Sequence, residues 1–248
     1  MIVSKISVFR KLYHQLGPGD TLVGNMAFRP GEELKALDLV HRGVKVFPSL
    51  LSQFLSRSKA LQAEVLGPFM PDSTFVAYRI RDIVQNLPLY AHGGRVVCKR
   101  DRKHLGLGIS RWNSLEDLLN MAVMDALPYP LVIQPFLRGA RDIRVLIIEE
   151  YSEAYEKTNP CSFRKNLAHG GKASRIELNS PLEAFCRSIM ARGDFPYAVL
   201  DVLVDEQNNF FLSEINLTGG LTGSRIGQKE FQSRKKSLLA AFCARPIS

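Results

Sequence analysis

An α/β (α+β) fold class follows from three features of the chain. Residues 21–57 alternate between strand and helix patterns, twice each. Two apolar stretches, 198–204 and 211–216, flank a polar turn at 205–209 and read as a hairpin. The third feature is bulk: 248 residues with 46% hydrophobic and 23% charged content can bury a substantial core, in one unit or in two subdomains.

The elements follow in order. Thr21-Leu-Val-Gly-Asn25 is a strand, and residues 32–41 a helix that Gly43 closes at its C-cap. Residues 44–47 form a second strand, broken by Pro48, and 49–56 a second helix, together about half of a small α/β domain. A helix covers 59–66, and a loop with Pro68 and Pro71 follows it. Residues 95–99 make a short strand and 101–109 a glycine-bearing loop. Ser114-Leu-Glu-Asp117 then opens a helix with a capping-box pattern. Residues 131–134 form a buried strand. In the longer strand 141–148, Ile143, Val145 and Ile147 alternate with Asp142, Arg144 and Leu146. Ser180-Pro-Leu-Glu183 starts a helix with Pro at its first position, and Gly193 ends it. The hairpin comes next, then a basic helical tail.

Several function classes fall away on composition. No apolar run approaches the ~18 residues of a membrane helix, and Met1 to Arg10 lacks a signal peptide's apolar region. Cys98, Cys161, Cys186 and Cys243 show no CxxC spacing, so reduced thiols in the cytoplasm explain them better than disulfides or zinc. The net charge of +9 favours anionic partners, with basic groups at 100–103, 164–165 and 234–236. No nucleic-acid motif accompanies that charge, and a nucleotide site explains two of the three groups more economically.

The hairpin carries the most specific chemistry. Asp201 interrupts its first strand, and Glu214 and Asn216 its second. Side chains two apart on a strand face the same way, so Glu214 and Asn216 project together. A register placing Asp201 opposite Glu214 would converge three hard oxygen donors suited to Mg2+, whereas a one-residue slip would turn Asp201 away.

Four blocks in order now make a family legible: Gln134-Pro-Phe-Leu137, Asp142-Ile-Arg144, the run from Phe163 to Ser174, and Asp201 with Glu214-Ile-Asn216. With Lys59 and Lys99 upstream, this order resembles the ATP-grasp superfamily, in particular its RimK-like members, over roughly residues 58–223. The resemblance implies a nucleotide gripped between a small subdomain (58–137) and a large one (138–248), behind a shortened N-terminal α/β region (1–57). It implies ATP and Mg2+ as cofactors, with Mn2+ as a substitute, Asp201, Glu214 and Asn216 being the metal ligands. Lys59, Lys99, Gln134, Phe136, Leu137, Asp142 and Lys165 would bind nucleotide, while Arg144, Arg164 and Asn166 would serve catalysis. The loop His104-Leu-Gly-Leu-Gly108 would approach phosphates. His169 reads as structural or surface, and Lys59 taken alone as a surface lysine.

The implied reaction is carboxylate–amine ligation through an acyl phosphate, with unidentified carboxylate and amine substrates, one of them a peptide or protein terminus. Two other readings stay open. A nucleotide-binding ATP-grasp module without catalysis is suggested by Pro135 at the hinge, which removes a backbone donor, and by the two-glycine loop. A basic nucleic-acid binder rests on charge alone and ranks last.

Overall fold

A computed structural model describes residues 1–29, 31–103, 107–165 and 170–244. Three sheets follow one another along the chain, each with its own apolar core.

The first sheet holds β1 (Ile2–Val3), β2 (Thr21–Val23) and β3 (Lys45–Phe47) in sequential, parallel order. Parallel neighbours need crossovers, and α1 (Ile6–Leu12) and α2 (Glu32–His41) supply them. Phe9, Leu22, Ala36 and Leu39 fill the space between. α3 (Leu50–Leu55) then starts at Ser49, whose hydroxyl accepts from the Ser52 N–H. The strand–helix–strand–helix expectation for 21–57 matches these elements. The pair β1 and α1 had no forecast.

α4 (Lys59–Leu66) begins at a Ser58 cap and leads into the second sheet. That sheet comprises β4 (Phe75–Ala77), β5 (Val96–Arg100), β6 (Ile109–Trp112) and β7 (Leu131–Pro135), ordered β4-β7-β5-β6 and antiparallel throughout. α5 (Ile80–Asn86) and α6 (Leu115–Val123) cover one face, packing Ile83, Leu115 and Leu118 on Val96, Cys98, Leu131 and Ile133. The strand period of two sends Val97, Lys99 and Gln134 to the opposite face. Ser114 caps α6 as the sequence indicated, its Oγ accepting from the Asp117 N–H at 3.0 Å.

The third sheet has the order β10-β9-β8-β11-β12, all antiparallel. Its strands are β8 (Arg141–Ile148), β9 (Tyr151–Thr158), β10 (Lys172–Ile176), β11 (Tyr197–Val204) and β12 (Phe210–Asn216). α7 (Ser180–Arg192) packs Leu182, Cys186 and Ile189 into the core that contains Val145, Ile147 and Leu200. Its N-cap is Asn179, whose Oδ1 accepts from the Leu182 N–H at 3.0 Å. Pro181 is therefore the second helical residue, one place later than the sequence reading put it. α8 (Gln228–Ala244) completes the chain and buries Phe231.

The hairpin register places Asp201 opposite Glu214, with a bulge between Asp201 and Val202. Asp201 also faces Arg144 on β8, Arg144 faces Tyr155 on β9, and Asp142 faces Lys157. One face of the sheet is thus apolar against α7, and the other carries a continuous polar patch. Among the described residues no helix is long and apolar enough to cross a membrane.

Candidate functional site

The polar faces of the second and third sheets close on one cavity of about 790 Å3, a size suited to a nucleotide-like ligand. Lys99 and Gln134 line it from one side, and Asp142, Arg144, Asp201, Glu214 and Asn216 from the other. The hinge Pro135–Leu137 and the segment Phe163–Lys165 close one end. Asn25, Ser56 and Arg57, with Thr218 to Gly220, close another.

At the centre lies an ion network. Arg144 forks onto Asp201, Nε donating to Oδ1 at 2.7 Å and Nη2 to Oδ2 at 2.9 Å. Lys157 Nζ is 3.0 Å from both Asp201 Oδ1 and Asp142 Oδ1. Burial alone would raise the Asp201 carboxyl, but Lys157 and Arg144 outweigh it and hold it below the ordinary carboxylate range. Asp142 goes the other way: burial raises it, against the pull of Lys157.

Lys59 is 6% exposed, which overturns its reading as a surface lysine. Its Nζ donates to the Lys103 carbonyl at 2.6 Å and to Glu214 Oε1 at 3.1 Å. Lys99 Nζ donates to the carbonyl and hydroxyl of Ser213, at 3.0 and 3.1 Å. Burial pushes its ammonium down to about 8, Lys59 adding to the effect and Glu214 opposing it.

Arg164 donates through Nε and Nη2 to the Ile109 carbonyl of β6, which ties its segment to the second sheet. Lys165 Nζ donates to the Ala140 carbonyl at 2.8 Å. The Arg111 guanidinium stands 5.2 Å from both the Phe136 and Phe163 ring centres, and the two rings meet edge to face. Asn166 and His169 lie outside the described residues, as do His104 to Gly106 of the glycine loop.

Two details of residues 134–137 bear on nucleotide binding. The Phe136 N–H is already taken by the Arg95 carbonyl at 2.8 Å, so it is engaged. Gln134 is 3% exposed, and its Oε1 has no partner among the described residues. A buried acceptor without a donor is costly, and a base amino group would satisfy it.

The donor chemistry suits a hard divalent cation: two carboxylates and an amide oxygen on cross-strand neighbours. Lys59 holds Glu214 and Arg144 holds Asp201, so cations already occupy part of the place that a metal would take. Among the described residues no three His, Cys, Asp or Glu side chains form a ready cage, so Asn216 would have to be the third donor.

Several residues at the site escaped the sequence reading: Lys157, Ser213, Gln62, Ser56, Arg57 and Asn25. All of them become meaningful only through partners distant in sequence.

The geometry has counterparts among known proteins. The RimK-like ATP-grasp domain family matches residues 56–232. A search of curated proteins found no match. Among solved structures, D-cycloserine synthetase DcsG superposes with a TM-score of 0.64 at 12% identity, covering 96% of this chain and 99% of that one. D-alanyl-alanine synthetase A from Vibrio cholerae gives 0.60 at 15%, covering 90% and 75%. The ATP-grasp ligase PsnB, complexed with minimal precursor, Mg and ADP, gives 0.56 at 15%, covering 92% and 78%. At these identities the superpositions speak for the fold, while the family match spans well over half of the chain. The chain belongs to the family of RimK-like ATP-grasp domains, and with it to the ATP-grasp ligases.

Proposed function

We propose that the protein is an ATP- and Mg2+-dependent carboxylate–amine ligase, forming an amide or peptide bond through an acyl phosphate. The observation that carries this reading is the convergence on one cavity of Lys99 and Gln134 from one sheet with Asp142, Arg144, Asp201, Glu214 and Asn216 from another. Gln134 Oε1 and the Leu137 backbone would hold adenine, with Phe136 and Phe163 as walls. Lys99, Arg164 and Lys165 would meet phosphates, and Lys59 would follow once Glu214 releases it.

Asp201, Glu214 and Asn216 fit Mg2+, or Mn2+ in its place, which when bound neutralises phosphate charge and orients phosphoryl transfer. A substrate carboxylate oxygen attacks the γ-phosphorus, the O–P bond forms, and ADP leaves. The amine nitrogen then attacks the acyl carbon, loses its proton, and phosphate departs. Arg164 and Lys99 need only hold charge in place, so catalysis is positioning and electrostatics. The likeness to an ATP-grasp ligase solved with a leader and core peptide supports a peptide as one substrate. The four free thiols support a reducing, cytoplasmic setting.

A second reading, a nucleotide-binding module without ligation, is favoured by one observation: Arg144 and Lys157 together engage both Asp201 oxygens. A thermal-shift titration with ATP, with and without Mg2+, tests both, followed by an ADP-release assay over pairs of amino acids and short peptides. Saturation at 100 times Kd stabilises by about 2.7 kcal/mol, roughly 5–10 °C at this size. A magnesium-dependent shift with ADP release supports the ligase, and a shift with no release favours the module. No shift with any purine nucleotide overturns both.

A further inference from the structure

The charges around the cavity do not balance, and the imbalance has a location. Among the described residues its walls carry seven cationic side chains and three carboxylates. Three pairs match: Lys59 with Glu214, Arg144 with Asp201, and Lys157 with Asp142. Among the described residues, Lys99, Arg164, Lys165 and Arg57 have no carboxylate within ion-pair distance. The first three belong to β5 and to the segment bonded to β6 and Ala140, the elements assigned to the nucleotide. Arg57 does not.

Arg57 stands on another wall. Its Nε donates to Asn25 Oδ1 at 3.0 Å and its Nη2 to the Asn25 carbonyl at 3.1 Å. Asn25 lies just beyond the carboxyl end of β2, where parallel sheets present ligands. Both bonds use the side edge of the guanidinium and go to neutral oxygens of one residue. The end edge, Nη1 and the second Nη2 hydrogen, has no partner among the described residues. Burial lowers the Arg57 pKa and Arg102 lowers it further, while Glu33, which pairs with Arg102, opposes them. The neighbouring Ser56 Oγ accepts from the Leu217 N–H at 2.9 Å, which fixes this wall against Asn216 and the loop Thr218–Gly220.

We infer that Arg57, held in aim by Asn25, is the binding group for the non-reacting carboxylate of an α-amino-acid co-substrate. This rests on the ligase reading and gives the N-terminal region a task within it. A planar fork with a free edge matches a carboxylate with two bonds. Thr218, Gly219 and Gly220 line the same wall and can add a hydroxyl and backbone donors. Leu217, which Ser56 holds, is one residue from Asn216, so a co-substrate anchored on this wall lies on the side of the candidate metal ligands.

The test compares the proteinogenic L-amino acids with their α-carboxamides, by calorimetry on the full chain saturated with magnesium and a non-hydrolysable ATP analogue. The expected result is that at least one amino acid binds and its carboxamide binds about 10–100-fold more weakly, the range for a charged hydrogen-bonded contact. Arg57→Ala should weaken the acid by the same factor, leave the carboxamide within about twofold, and leave the nucleotide-induced thermal shift unchanged. Arg57→Gln, which can still donate to Asn25, should show the same selective loss and controls for loosening of the wall. Equal weakening of acid and carboxamide overturns the proposal, as does wild-type protein that binds nucleotide but no amino acid. Wild-type protein that binds no nucleotide fails the ligase reading instead.

Discussion

Arg144 and Asp201 form a two-bond fork between neighbouring strands, at 2.7 and 2.9 Å, and Lys157 approaches the same carboxylate at 3.0 Å. Two cations therefore depend on Asp201, with Asp142 the other carboxylate in their network. Asp201→Asn keeps the shape and removes the charge. It should destabilise the fold by about 3–5 kcal/mol, the cost of stranding buried charge, and lower Tm by roughly 10 °C. Adding Arg144→Met should recover part of the loss. Thermal unfolding of the single and double variants reads this, and a wild-type Tm in Asp201→Asn refutes the dependence. Because the Asp201 carboxyl is held below its ordinary value, its contribution is full above about pH 4 and fades as pH falls below that.

Lys99 predicts a proton linkage at the alkaline end. Its folded pKa is about 8, below the unfolded value of about 10.4. Between the two the unfolded chain binds more protons, so this residue's contribution to stability rises with pH across that window. A phosphate beside Nζ favours the ammonium, so nucleotide binding should take up a fraction of a proton near and above pH 8. Calorimetry in buffers of different ionisation enthalpy should show uptake at about pH 8.5 and almost none at about pH 6.5. Lys99→Met should abolish it. Equal uptake in the variant would assign the proton to another group.

Gln62 predicts a positioning effect on the candidate metal ligands. Its Nε2 donates to the carbonyls of Leu55 and Ile215 at 2.7 and 2.9 Å, and its Oε1 accepts from the Ile215 N–H at 3.1 Å. Ile215 sits between Glu214 and Asn216 on the edge strand β12, so a side chain on α4 substitutes for a missing neighbouring strand. Gln62→Leu leaves those backbone groups buried without partners and should cost about 2–4 kcal/mol. Chemical denaturation gives that figure. Separately, the Mg2+ concentration needed for half of the ATP-induced thermal shift should rise several-fold. An unchanged Mg2+ requirement would confine Gln62 to folding.

Much of this was legible in local sequence. α4 and β8 match their expected bounds, and Asp201, Glu214 and Asn216 stand out because polar residues interrupt apolar strands. β9 escaped because Tyr-Ser-Glu-Ala-Tyr-Glu-Lys-Thr mixes charge with aromatics, and Lys157 looks solvated until β9 lies beside β8. Its partners are Asp142 and Asp201, and only the sheet order brings them together. Gln62 and Arg57 were illegible for the same reason, since each acquires a role through backbone or amide groups far along the chain. Phe136 was expected to bind nucleotide, and only the strand alignment reveals that the Arg95 carbonyl takes its N–H.

The loop after Asn216 gives a test that separates nucleotide binding from turnover. A Cβ on Gly219 would lie 2.5 Å from Val199 Cβ and 2.7 Å from both of its methyl carbons. Val199 is β-branched and buried in the third sheet's core, with one preferred χ1 and little room to yield. Gly219→Ala must therefore lift the loop away from β11 and displace Thr218 and Gly220 at the cavity wall. Overpacking of this kind costs about 1–3 kcal/mol. Magnesium-dependent ATP binding, which rests on β5, β7 and the central network, should remain within about threefold, while ADP release in the presence of co-substrates should fall at least about tenfold. Val199→Gly in the same chain removes the colliding Cβ together with both methyls and should restore most of the release. If the double variant stays as slow as Gly219→Ala, the close approach to Val199 is not what sets the loop; if the single variant turns over normally, the loop does not shape the co-substrate wall.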